Sequence, residues 1–141
     1  MFILSPPNAG KILFFDTFIH YCMNFGQIGN FNRYCSFPLM ECVTRRIILW
    51  NEPVLESSAT ETLNMLFGGD TVSVKVKYLS DAVIQRTPVI VLSNNDVFPN
   101  DTAFRSRMFS YKWKPFNLLK NYKKKPNPLS CYFLLKKYNI L

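Results

Sequence analysis

Histidine is nearly absent from this chain: His20 is the only one. The four cysteines, at positions 22, 35, 42 and 131, never form a C-x-x-C pair. A structural zinc site needs closely clustered sulfur and nitrogen ligands, so none is expected, and the cysteines read as ordinary thiols of a reducing compartment. No apolar run comes near the roughly 20 residues that cross a bilayer, so no membrane partner is expected. The opening residues, MFILSPP, hold no basic segment and no cleavable pattern, and no secretion signal is read there. Acidic residues are missing from one whole stretch. Residues 102–141 carry ten basic side chains and no acidic one, whereas residues 1–101 carry seven basic and nine acidic. The net charge of +8 therefore sits on the C-terminal part. That part is either a contact for a polyanion or a solvated basic tail.

What is present suffices for a core. The chain has 141 residues, 48% hydrophobic and 16% aromatic, which points to one folded domain. MFIL is a short apolar run leading straight into SPPNAGKIL, residues 5–13. Residues 12–25 are apolar nearly all round and read as a buried helix, followed by a loop rich in Gly and Asn. RRIILWNEP, residues 45–53, reads as a buried strand stopped by Pro53. SSATETLNMLFGG reads as a helix with Ser58 as N-cap, Glu61 in capping-box position, and Gly68 and Gly69 at its end. DTVSVKVKY, residues 70–78, alternates, with Val72, Val74 and Val76 on one side and Lys75 and Lys77 on the other. That predicts one arm of a hairpin. TPVIVLSNN, residues 87–95, is a further buried strand; FRSRMFSYKW reads as a turn into a final strand, and NYKKKPNP as a linker or exposed loop.

Three apolar strands thus end in polar residues. In open parallel α/β sheets ligands bind at the carboxyl ends of strands, so Gly10-Lys11, Asn51-Glu52 and Ser93-Asn94 are candidates for one shared site. SPPNAGKIL matches the phosphate-binding loop G-x-x-x-x-G-K-[ST] except at Ser5 and Ile12. Such a loop works through successive backbone N–H groups and a helix N-terminus, with the lysine against the β- and γ-phosphates. Asn8, Ala9, Gly10, Lys11 and Ile12 are the candidate contacts, although a structural Gly-Lys pair fits the residues equally well. Glu52 can hold Mg²⁺ and orient water, or can be a carboxylate just past a strand end. Asn94 can bond a phosphate or a water, or can be a turn residue. Lys75 and Lys77 can meet a nucleic-acid backbone or solubilise an exposed face. Arg107 can reach a neighbouring subunit's nucleotide or be an ordinary surface arginine.

The stretches PPNAGK, RRIILWNEP, LNMLFGGDTVSVKVKYLSDAVIQRTPVIVLSN and FRSRMFSY, in this order and spacing, resemble the superfamily-three helicase domain of parvovirus replication initiator proteins, those of arthropod densoviruses above all. They cover most of residues 5–113. The resemblance implies an α/β fold, an AAA+-like ATPase core whose parallel sheet is flanked by helices and carries a β-hairpin insertion, spanning residues 1–113 with a basic tail at 114–141. It implies ATP and Mg²⁺ as cofactors, 3′-to-5′ DNA unwinding during viral genome replication, single-stranded DNA and a ring of identical subunits as partners, and the host nucleus as location. Lys11 would be the Walker A lysine and Glu52 the Walker B acid and metal residue, with Asn51 where many relatives have a second acid. Lys77 would be the channel-facing hairpin lysine, Asn94 the sensor asparagine and Arg107 the arginine finger.

Two departures bear on activity. Ile12 has no oxygen where the family places a metal-binding hydroxyl or an Asn. The family's origin-binding and nicking domain, with its histidine pair, and the assembly helices ahead of the core have no counterpart in these residues, so a truncated copy, incomplete at its N-terminal edge, is expected. The alternatives to a working helicase module are a binding protein for nucleotide or single-stranded DNA that joins an intact viral helicase, and a virus-derived remnant that folds poorly.

Overall fold

The computed structural model describes residues 1–122 and 124–141; Lys123, part of the basic tail, lies outside the described residues. In chain order the elements are β1 (Phe2–Leu4), α1 (Lys11–Cys22), β2 (Phe25–Gln27), β3 (Ile47–Asn51), α2 (Thr60–Gly68), β4 (Val72–Val74), β5 (Ala82–Ile84), β6 (Val89–Ser93), α3 (Thr102–Arg105), β7 (Ser110–Lys112) and α4 (Ser130–Lys137). Five strands form one parallel sheet in the order β2-β3-β6-β1-β7. β4 and β5 form a separate antiparallel hairpin. Among the described residues no helix is long and apolar enough to cross a membrane.

Strand side chains alternate between the two faces of the sheet, which is why near-continuous apolar strands are needed here. Phe2, Ile48, Trp50, Val89 and Val91 face one side, where they meet Leu63 and Leu66 of α2, the hairpin's Val72, Val74 and Ile84, and Phe104 of α3. Ile3, Ile47, Ile90 and Leu92 face the other side and meet Phe15 and Ile19 of α1. The result is three layers with the sheet in the middle. On the first face Phe98 anchors an aromatic cluster, with Phe2, Trp50, Phe67 and Phe104 ring centroids 5.3–5.8 Å away.

The all-round apolarity of α1 has a structural cause. One face lies on the sheet, and the other is covered by the C-terminal segment. Trp113 sits 5.6 Å from both Phe14 and Phe15, and Cys131 of α4 is buried. The segment read from sequence as a linker leads into α4, which packs on α1.

Several sequence expectations need correction. The helix over 12–25 stops at Cys22, where Met23 takes a positive φ of 60°, and Phe25–Gln27 instead form edge strand β2 beside β3. Ser58 does not cap α2. Ser57–Ala59 form a 3₁₀ turn, and neither it nor α2 has a side-chain cap bond. The C-terminal stop holds: Gly69 is left-handed at φ 82°, its N–H donates to the Leu66 carbonyl, and Asp70 N–H donates to the Met65 carbonyl. That pair of bonds closes a Schellman turn. Thr102–Arg105 form a short helix, capped by Asp101, which accepts from Phe104 N–H at 3.0 Å; the expected turn into the final strand begins only after it, at residues 106–107, and leads into β7.

Candidate functional site

β1 runs into the loop of residues 5–10, and the loop runs into α1. Ser5 is buried and tied to the next strand, its N–H donating to the Ser93 carbonyl at 3.1 Å. Asn8 and Gly10 take positive φ values of 63° and 78°, which fold the loop back on itself ahead of the first turn of α1. Gly10 is the N-cap and supplies no side-chain cap bond, so the first N–H groups of this twelve-residue helix face the loop without a side-chain acceptor from their cap. Partial positive charge at a helix N-terminus, next to a loop of this shape, suits an anion. Ala9 is buried beneath the loop.

Lys11 begins α1, yet its side chain is only 6% exposed. It is buried because two partners receive it. Its Nζ donates to the Asn94 Oδ1 at 2.6 Å and lies 2.8 Å from the Glu52 Oε1. The second Glu52 oxygen, Oε2, accepts from Asn94 N–H at 3.1 Å. Glu52 itself stands just past β3 with a positive φ of 47°, its N–H donating to the Leu92 carbonyl at 2.7 Å. Three residues, one at the start of α1 and two just past the ends of β3 and β6, thus form a closed triangle at the carboxyl edge of the sheet. A buried ammonium needs such partners, since removing it from water alone costs several kcal/mol.

The other sequence candidates are placed as follows. Ile12 is 54% exposed and edges an open cleft of about 280 Å³ with Asp16, Gln27, Leu49 and Asn51. Asp16 was not foreseen; it lies four residues after Ile12, hence on the same helical face, which is the signal that could have found it. Asn51 ends β3 and is exposed. Lys75 follows β4, and Lys77 stands in the turn of the hairpin rather than on a strand face, because β4 ends at Val74.

Arg107 does not join the triangle. It sits beyond α3 at the amino ends of the strands, where its Nη1 donates to the Asn64 Oδ1 at 3.0 Å and the Ala103 carbonyl at 3.2 Å. A cavity of about 550 Å³ there is bordered by Arg107, Met1, Gly69, Arg86 and Val89.

One contact had no sequence signal. The Leu119 side chain lies so close to Gly10 that a Cβ added to the glycine would collide with it. Beside this contact is an apolar cavity of about 500 Å³ between the loop, Phe14, Trp113, Phe116 and Leu134.

Residues 2–112 match the model of the parvovirus non-structural protein NS1 family. The chain is 48% identical over 139 residues to initiator protein NS1 of Junonia coenia densovirus, covering 98% of this chain and 26% of that one. With initiator protein NS1 of Bombyx mori densovirus it shares 44% over 136 residues, 96% of this chain and 15% of the relative. With protein Rep52 of adeno-associated virus 2 it shares 27% over 122 residues, 79% of this chain and 30% of the relative. Its fold resembles a crystal structure of JCV helicase, with a TM-score of 0.62 at 13% identity over 99% of this chain and 40% of that one. It also resembles the NrS-1 C-terminal region, with a TM-score of 0.58 at 15% identity over 96% and 33%. The chain therefore spans about a quarter or less of the two NS1 relatives named. With its parallel sheet, its hairpin and its loop-bearing β1, it belongs to the parvovirus non-structural protein NS1 family.

Proposed function

We propose that this chain is the ATP-binding and ATP-hydrolysing core of a viral replication initiator, working as a 3′-to-5′ DNA helicase in the host nucleus. The observation that carries this reading is the Lys11–Glu52–Asn94 triangle at the mouth of the loop. Lys11 is placed to turn from these two partners to the phosphates of a bound nucleotide, and Glu52 and Asn94 are then released to orient water and the transferred phosphoryl group. Arg107, at the opposite edge of the sheet, serves a neighbouring subunit's nucleotide in a homo-oligomeric ring. Lys75 and Lys77 on the hairpin meet single-stranded DNA.

The residues around the loop fit Mg²⁺ with one ligand fewer than usual. Ile12 offers no oxygen, but Mg²⁺ is commonly held by one or two carboxylates together with substrate phosphates and water. Glu52 would hold it, with Asn51 alongside. Bound there, the metal would neutralise charge on the phosphates. Ile12 also supports a second reading. The chain then binds nucleotide or single-stranded DNA with little turnover and acts by joining an intact viral helicase.

ATP hydrolysis by the purified chain, with and without single-stranded DNA, separates the two. Wild type, Lys11→Ala and Ile12→Thr are compared. Turnover in wild type that Lys11→Ala abolishes supports the first reading. Turnover only in Ile12→Thr supports the second. Turnover that Lys11→Ala leaves intact defeats both.

A further inference from the structure

The hairpin formed by β4 and β5 is anchored by Val72, Val74 and Ile84, all buried in the core, with Val72 opposite Ile84 and Val74 opposite Ala82. Beyond these pairs residues 75–81 project away from the body of the protein. At the tip, Leu79 N–H donates to the Val76 carbonyl at 3.3 Å, closing a turn whose third residue is Tyr78. Tyr78 has a φ of 63°. The third position of a turn with positive φ normally takes Gly or Asn, and a bulky aromatic there is strained.

That strain gains no packing in return. Tyr78 is 90% exposed, and Leu79 beside it is 74% exposed. The Lys77 Nζ lies near the ring, 4.9 Å from its centroid. Lys75 is also exposed on the same loop. An aromatic plane held in solvent beside one cation, with a second exposed lysine on the same loop, has the chemistry of a stacking platform for a base whose neighbouring phosphates meet the ammonium groups.

We infer that Tyr78 stacks on a nucleobase of a single DNA strand whose phosphates lie on Lys75 and Lys77. This rests on the DNA-handling role proposed above. Phosphate contacts give affinity that falls with salt, while stacking gives affinity that does not, so the two contributions separate in a salt titration.

The test is fluorescence anisotropy of a labelled oligothymidylate, and of an abasic strand of equal length, across a range of salt. Stacking worth about 1–3 kcal/mol per base corresponds to a loss of roughly 5- to 150-fold. Tyr78→Ala is therefore expected to bind oligothymidylate that much more weakly with an unchanged salt slope, and Tyr78→Phe to stay within about twofold of wild type. On the abasic strand Tyr78→Ala and wild type should be equal. Tyr78→Gly removes the ring and relieves the backbone, so its melting temperature should rise while its affinity falls; a variant that had merely misfolded would lose both. Lys77→Ala should flatten the salt slope by about 0.7. If Lys77→Ala weakens binding and Tyr78→Ala does not, stacking is wrong and the phosphate contact stands. If neither matters, or if wild type does not bind the strand at low salt, the DNA role of the hairpin fails and the inference fails with it.

Discussion

Lys11 and Asn94 lie 83 residues apart in sequence, yet the Lys11 ammonium donates to the Asn94 side-chain oxygen at 2.6 Å. The same ammonium is ion-paired with Glu52 at 2.8 Å, and Glu52 in turn accepts from the Asn94 backbone. The three groups hold one another, and the arrangement ties the first residue of α1 to the ends of β3 and β6.

Replacing one member should therefore be felt in stability. Glu52→Gln leaves the buried Lys11 charge with neutral partners only. Because Glu52 is partly solvated, the expected loss is about 1–2 kcal/mol, less than for a fully buried pair. Urea unfolding of wild type and Glu52→Gln measures it. An unchanged midpoint would mean that the pair contributes nothing to the fold.

Gly10 and Leu119 provide a steric prediction. Gly10→Ala adds a methyl group both against Leu119 and at a φ of 78°, so two penalties combine. Leu119→Ala in the same chain removes the collision and leaves the backbone term of about 1 kcal/mol. Thermal unfolding of both single variants and the double variant should show a coupling of that sign. Strict additivity would place Leu119 away from the loop.

Trp50 is wholly buried, and its indole Nε1 has no hydrogen-bond partner among the described residues. Trp50→Phe removes this unsatisfied donor while keeping a ring against Phe31 and Phe98. It should cost less than about 1.5 kcal/mol, whereas Trp50→Ala should cost about 3–5 kcal/mol. Chemical denaturation of the two variants decides it; equal losses would show that the N–H is satisfied in solution.

Burial, reinforced by the nearby Glu41 carboxylate, pushes the Cys42 thiol up to about 12. Above pH 9 the unfolded chain loses this proton while the folded chain keeps it, so the unfolded state binds fewer protons and stability falls with rising pH. The contribution of Cys42 is complete below pH 9 and is lost as pH rises toward about 12. Stability measured from pH 8 to pH 11 should decline less steeply in Cys42→Ala than in wild type.

The sequence made the site legible through one recurring feature, polar residues closing apolar strands. Lys11, Glu52 and Asn94 were each placed at a strand end by that pattern, and parallel topology brings such ends to one edge. Other parts carried no comparable signal. Phe25-Gly26-Gln27 is too short to show a period of two, so its Phe reads with the apolar helix before it and its Gly and Gln with the loop after it. Ser58 has the right neighbours for a cap, but a 3₁₀ turn satisfies the backbone there instead. The reach of the tail over α1 depends on Trp113, Leu119 and Cys131, which are separated by prolines and lysines and show no local periodicity.

The place of β1 in the sheet has a consequence for synthesis. β1 leaves the ribosome before the other strands of this sheet, but its neighbours are β6 and β7, so its register partners are Val91–Ser93 and Ser110–Lys112. A nascent chain ending before residue 89 has its loop attached to a strand with nothing to pair with. The centre of the sheet closes only as the last of its strands emerges. Long-range closure of this kind is slow and leaves Phe2 and Ile3 open to wrong contacts meanwhile. Translation pauses beyond residue 112 would thus raise the yield of folded chain, whereas pauses within residues 20–85 would lower it.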